Sequence, residues 1–130
     1  MITCPFNKGF LVTLLKTNID FNLARIKALA MIILAMVEAR SVKMAVLAGF
    51  LSSDASQGAR YRRIQRFMAQ VQFLPEQLAP LLLSILEIRN DQKLTLILDR
   101  TNWKFGRKDL NILFLAVAHE GIAIPLFGNF

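Results

Sequence analysis

Leu94-Thr95-Leu96-Ile97-Leu98 is a run of apolar β-formers that stops at a carboxylate, Asp99, with polar, aromatic and Gly-punctuated residues following from Arg100 to Gly106. Such a run can be buried on both faces of a sheet, whereas Asp99 gains nothing from burial unless something such as a metal ion pairs with it. Asp99 to Gly106 therefore reads as a loop that carries chemistry. Two more strand-like runs follow, Leu110 to Ala118 and Ile122 to Leu126, with His119-Glu120-Gly121 between them as a short hairpin connection. An antiparallel meander is the simplest sheet these three runs make. Helical patterns precede it, and Asn90-Asp91-Gln92 reads as the turn that divides a helical region, residues 1–89, from a sheet region, residues 90–130. The expected fold class is α+β.

At 130 residues the chain can hold one full domain, or a small domain joined to part of another. Its 55% hydrophobic content and mean hydropathy of +0.44 require a membrane reading to be tested first. The longest apolar run, Ala28 to Val37, covers about ten residues, well short of the roughly 20 that span a bilayer. A buried helix fits it better, and no membrane partner is expected. Lys8 and Lys16 flank Phe10 to Leu15, but that apolar core of about six residues is short for a secretion signal, and no small-residue cleavage site follows. Cys4 is the single cysteine, so no internal disulfide forms, and Cys4 with His119 cannot complete a structural zinc site. A reduced cytoplasm suits these features.

Charge is concentrated in one stretch. Between Arg40 and Val71 stand six basic residues, Arg40, Lys43, Arg60, Arg62, Arg63 and Arg66, against one acid, Asp54. A polyanion is one reading of that imbalance and a solvated helix face is the other. Asn22 to Glu38 is apolar around most of a helical circumference and predicts a largely buried helix of about four turns. Ser41 is a candidate N-cap for a short helix through Ala48, with Gly49 suited to its end. Asp54 or Ser56 can cap a third helix running to about Val71. On a helical wheel Tyr61, Ile64, Phe67, Met68 and Val71 share one face, and Arg62, Arg63, Arg66 and Gln70 share the other. This order resembles a helix-turn-helix unit, in which the second helix enters the major groove of DNA. Pro75 and Glu76 then open a fourth helix through Leu86.

The string Leu98-Asp99-Arg100-Thr101-Asn102-Trp103-Lys104-Phe105-Gly106, with the apolar runs after it, resembles the L-D-R-T-x-W-x-x-G motif that begins the RNase H-like catalytic domain of DDE transposases, insertion-sequence family four. The resemblance implies that Asp99 is the first of three metal-binding catalytic carboxylates, with Mg²⁺ as the cofactor. It further implies that the helical region grips the terminal repeats of a transposon as double-stranded DNA. Arg60, Arg62, Arg63 and Arg66 are then the DNA-binding candidates, joined by Lys104. Trp103 is either a stacking residue or a core plug.

The second Asp and the Glu of that family are not matched. Its Tyr-x-x-Arg-x-x-x-Glu-x-x-x-x-x-x-Lys signature is missing, since the one tyrosine, Tyr61, is followed three positions on by Ile64. Asp91, Asp109 and Glu120 read as solvated turn residues, and His119 as a plain surface histidine. The sequence ends at Phe130 just past the third strand-like run, so the resemblance points to the N-terminal part of such a transposase, not competent for catalysis alone. The alternatives are a non-catalytic DNA-binding or inhibitory module that occupies transposon ends or pairs with an intact transposase, and a decaying gene without function. Leu94 to Leu98 would form a free sheet edge, from which self-association or partner binding is expected.

Overall fold

A computed structural model describes residues 7–89 and 91–129. Cys4, Asn90 and Phe130 lie outside the described residues. Among the described residues five α-helices are followed by a three-stranded antiparallel sheet, so the α+β class and the meander are both found. The chain packs as two compact units, one ending at Phe73 and the other beginning at Leu74. The packing thus divides ahead of Pro75 and not at Asn90-Asp91-Gln92, because the last helix packs on the sheet. The turn residues near position 90 mark a change of secondary structure within one core.

The first unit holds α1 (Lys8–Asn18), α2 (Leu23–Ala39), α3 (Met44–Phe50) and α4 (Gln57–Gln70). Each helix supplies one of the largest fully buried side chains, Leu15, Ile26, Leu47 and Ile64. α1 begins where the Asn7 side chain accepts the Phe10 N–H at 2.7 Å, and Leu11 and Leu15, one turn apart, are buried as it packs on α2. α2 lies within one residue of the expected span, with Asn22 as its N-cap and not its first helical residue, and ends at Arg40 in the left-handed region, φ 50°. Its burial is one-sided, through Ile26, Leu29, Ala30, Ile32 and Ala35, while Leu23 and Val37 are exposed.

Ser41 does not cap α3. Its hydroxyl accepts the Lys43 N–H at 3.2 Å in a local turn, which delays the helix to Met44 and leaves Gly49 inside it. Ser56, one of the two candidate caps for α4, accepts the Ala59 N–H at 3.3 Å. Ile64, Phe67 and Val71 are buried along α4, but Met68 is 57% exposed and Tyr61 only half-buried. The buried arc centres on Ile64 and Val71, so Met68 and Tyr61 sit at its margin. Arg60 lies inside the arc, four residues before Ile64 and seven before Phe67.

That position ties α4 to α3. The Gln57 Nε2 donates to the Ala45 carbonyl at 3.1 Å, and Arg60 donates through Nη1 to the Leu51 carbonyl at 3.2 Å and through Nη2 to Gln57 Oε1 at 3.4 Å. One arginine and one glutamine thereby satisfy backbone carbonyls of α3 and of the turn after it. Two aromatic contacts close the unit, Phe73 lying 5.6 Å from Phe21 and 6.4 Å from Phe67 between ring centroids.

The second unit holds α5 (Pro75–Ile85), β1 (Leu96–Phe105), β2 (Lys108–His119) and β3 (Ile122–Asn129), with the strands in the order β1-β2-β3. Pro75 opens α5 and Ala79 and Leu81 are buried on it, while Val117 is the fully buried residue of the sheet. β1 does not stop at Asp99. It continues to Phe105 and turns through Gly106, φ 65°, and Arg107 into β2. Gly at the first of two turn positions is the type II′ arrangement, whose twist matches the flanking strands. The β2–β3 connection is tighter than expected: Glu120, φ 49°, and Gly121, φ 82°, form a two-residue turn with both residues left-handed. A register shift between Leu115 and Ala116 leaves Leu126 as the extra residue beside Pro125, on the edge strand β3 where a missing N–H is tolerated.

The burial pattern makes a ranking that denaturant titration can check. Ile64→Ala is expected to lower stability by about 2–5 kcal/mol, and Met68→Ala to change it by less than about 0.5 kcal/mol. Arg60→Ala should fall between them, at about 1–3 kcal/mol, because it strips the hydrogen bond from the part-buried Leu51 carbonyl. An Arg60 effect as small as that of Met68 would contradict its structural role.

Candidate nucleic-acid interface

The anchored face of α4 fixes the direction of the other one. With Ile64, Phe67 and Val71 turned into the core, Arg62, Arg63 and Arg66 are exposed. Their guanidinium groups make no hydrogen bond or ion pair with any described residue. Two open grooves flank the helix. One, of about 420 Å³, is lined by Ala59, Arg62, Gln65 and Arg66. The other, of about 350 Å³, lies between α4 and the first turns of α2, where Arg63, Arg66 and Gln70 meet Asn22 and Arg25. Arg66 lines both, and no acidic residue lines either.

The sequence-derived candidates therefore separate. Arg62, Arg63 and Arg66 share one surface, whereas Arg60 is held against α3 by the bonds described above and is half-buried. Arg25 joins the surface although the charge count between Arg40 and Val71 excludes it. It is brought there by packing of α2 against α4, a contact between residues about 40 positions apart that local pattern does not reveal. Lys104 belongs to the second unit. It is exposed on β1, directly across from Asp109 of β2. Trp103 is 67% exposed, so it does not plug a core.

Asp99 sits mid-strand, opposite Phe114. Its carboxylate accepts the Arg100 backbone N–H at 2.8 Å, and Arg100 Nη2 donates in turn to Asn111 Oδ1 at 3.1 Å. Ala118 donates its N–H to the Thr95 carbonyl, so odd-numbered residues of β1 bond to β2 and the Arg100 N–H points to the free outer edge. Asp99 thus covers an edge donor. On its own face it borders a shallow concavity of about 210 Å³, otherwise lined by Ile97, Phe114, Ala116, Ala123 and Pro125.

Mg²⁺ prefers six oxygens in near-octahedral geometry and keeps its waters where one carboxylate is offered. Among the described residues no three His, Cys, Asp or Glu side chains are grouped to hold a metal ion. Asp109 lies at the other end of β1's ladder opposite Lys104, and Glu120 is in the β2–β3 turn beside His119, Nε2 to Oε1 3.9 Å. The residues present around Asp99 do not fit a Mg²⁺ site. No described helix is long and apolar enough to cross a membrane. No protein-family model, curated protein or solved structure matches the chain.

Asp99→Ala uncovers the Arg100 N–H on an edge that already exposes Leu96 and Leu98. Light scattering at micromolar concentration should show more self-association in this variant than in the parent chain. Equal scattering from both would mean that the carboxylate does not guard the edge.

Proposed function

We propose that the chain binds double-stranded DNA through the exposed face of α4, as the DNA-gripping region that precedes the RNase H-like domain in the DDE transposases it resembles. The observation that carries the reading is the placement of Arg62, Arg63 and Arg66: three guanidinium groups without a partner among the described residues, on one face of a helix whose opposite face is buried. Planar guanidinium forks take phosphates or guanine edges in two-point contacts. Arg25 extends the surface across the groove to α2. In the helix-turn-helix reading α3 supports and α4 enters the major groove, although the connection 51–56 is longer than the usual turn of about three to four residues.

The transposase part of the proposal rests on the Leu98-Asp99-Arg100-Thr101 string and the three antiparallel strands that begin there. Asp99 would be the first catalytic carboxylate of a complete site. Its hydrogen bond to the backbone and the lack of grouped ligands among the described residues favour a second reading beside it, a module that occupies transposon ends without cutting them or pairs with an intact transposase.

The transposase reading and the end-occupying form of the second reading both require salt-dependent duplex binding. Each arginine that neutralises a phosphate contributes about 0.9 to the slope of log affinity against log salt. Arg62→Ala, Arg66→Ala and Arg25→Ala should each flatten the slope by about that amount, while Arg60→Ala leaves it unchanged in the folded fraction. Slopes unaltered by both Arg62→Ala and Arg66→Ala would remove α4 from the interface. Incubating the duplex with Mg²⁺ should give no strand cleavage, and cleavage abolished by Asp99→Ala would overturn the non-cutting reading.

A further inference from the structure

The distal half of the β1–β2 hairpin carries two aromatic side chains that nothing in its unit covers. Trp103 is 67% and Phe105 79% exposed. Exposed single hydrophobics are common, whereas neighbouring exposed aromatics on one face form the kind of contiguous apolar patch that marks interaction sites. Strand alternation puts both side chains on the same face, their Cα atoms about 6.6 Å apart along β1. The register sets Lys108 opposite Phe105 and Leu110 opposite Trp103, on that face as well. Arg107 occupies the turn beside them. Lys104 and Asp109, opposite each other in the register, are on the other face.

From Arg100 to Asn111 there are four cations, Arg100, Lys104, Arg107 and Lys108, against one acid, Asp109. An anionic chain bearing flat apolar groups matches the rings and the cations together, whereas a purely apolar partner matches the rings alone. We propose that the hairpin tip is a stacking site for unpaired bases of a single-stranded nucleic acid. Trp103 and Phe105 supply the stacking surfaces, and Lys108 and Arg107 take the flanking phosphates. Bases within a duplex are already stacked on each other, so this site is distinct from the α4 face and does not depend on it. The register also assigns the partner cation: Lys108 acts with the rings, and Lys104 does not.

Trp103 is the only tryptophan, so intrinsic fluorescence reports on this site directly. Titration with a thymidine oligonucleotide of about ten residues, within the usual span of single-strand sites, should give saturable quenching. Phe105→Leu, which keeps an apolar side chain on the strand, should weaken binding by about 5- to 100-fold, and Phe105→Tyr should restore it. Lys108→Gln should flatten the salt slope by about 0.7, and Lys104→Gln should change neither quantity. An abasic strand of equal length should leave the fluorescence unaltered. The inference is overturned by absent quenching, by equal quenching with the abasic strand, or by parental affinity in Phe105→Leu. The double variant Arg62→Ala/Arg66→Ala should quench as the parent does. If it loses quenching while Phe105→Leu keeps it, single-strand binding belongs to α4 and the hairpin proposal fails alone.

Discussion

The attachment of α4 to α3 decides what the first unit can present to a partner. Burial of Ile64, Phe67 and Val71 sets the rotation of α4 about its axis, and the Arg60 and Gln57 hydrogen bonds to Leu51 and Ala45 set its position against α3. A rotation of one residue, about 100°, would carry Arg63 toward the core and Phe67 into water. The basic surface is therefore a consequence of packing. Arg62, Arg63 and Arg66 are exposed because Ile64, Phe67 and Val71, on the other side of the helix, are buried.

The same dependence explains why Arg60 differs from the other arginines. By composition it is one more cation in a basic stretch, but by phase it falls among the apolar positions of α4. A guanidinium there persists because its Nη1 reaches the Leu51 carbonyl just past α3 and its Nη2 the Gln57 side-chain oxygen. Its Nε is buried without a partner among the described residues, which is the weak point of this arrangement. Phase on the wheel, applied to Arg60 as it was to its neighbours, contains this distinction.

Helix phase and cap are legible for α4, where Ser56 stands directly before an amphipathic run, whereas for α2 the extent is legible but not its Asn22 cap or which of its apolar residues stay exposed. α1 went unread although Asn7 and the Leu11 and Leu15 spacing carry the same signals, because Lys8 and Lys16 around an apolar core pose the question of a leader instead. β1 was half read. The apolar run to Leu98 marks its first part, but beyond it Thr101, Trp103 and Phe105 alternate with Arg100, Asn102 and Lys104, a period-two pattern in which polar composition suggested a loop. Gly106 punctuates a turn, as glycine signals, yet the turn lies two residues deep and not eight. Asp99 consequently moves from a strand end to mid-strand, where its backbone hydrogen bond is an edge-guarding contact. The Arg25 contribution to the α4 groove was not legible at all, since only tertiary packing brings α2 there.

DNA binding as proposed requires that the core-anchored orientation of α4 present its arginine face to the duplex. Backbone amide NMR shifts, followed as a short duplex is added, test it most directly. Perturbations should cluster on the exposed positions of α4 around Arg62, Arg63 and Arg66 and on the first turns of α2 near Arg25, with the buried positions Ile64 and Leu47 little changed. Saturable binding that leaves α4 and the start of α2 unperturbed would contradict the claim.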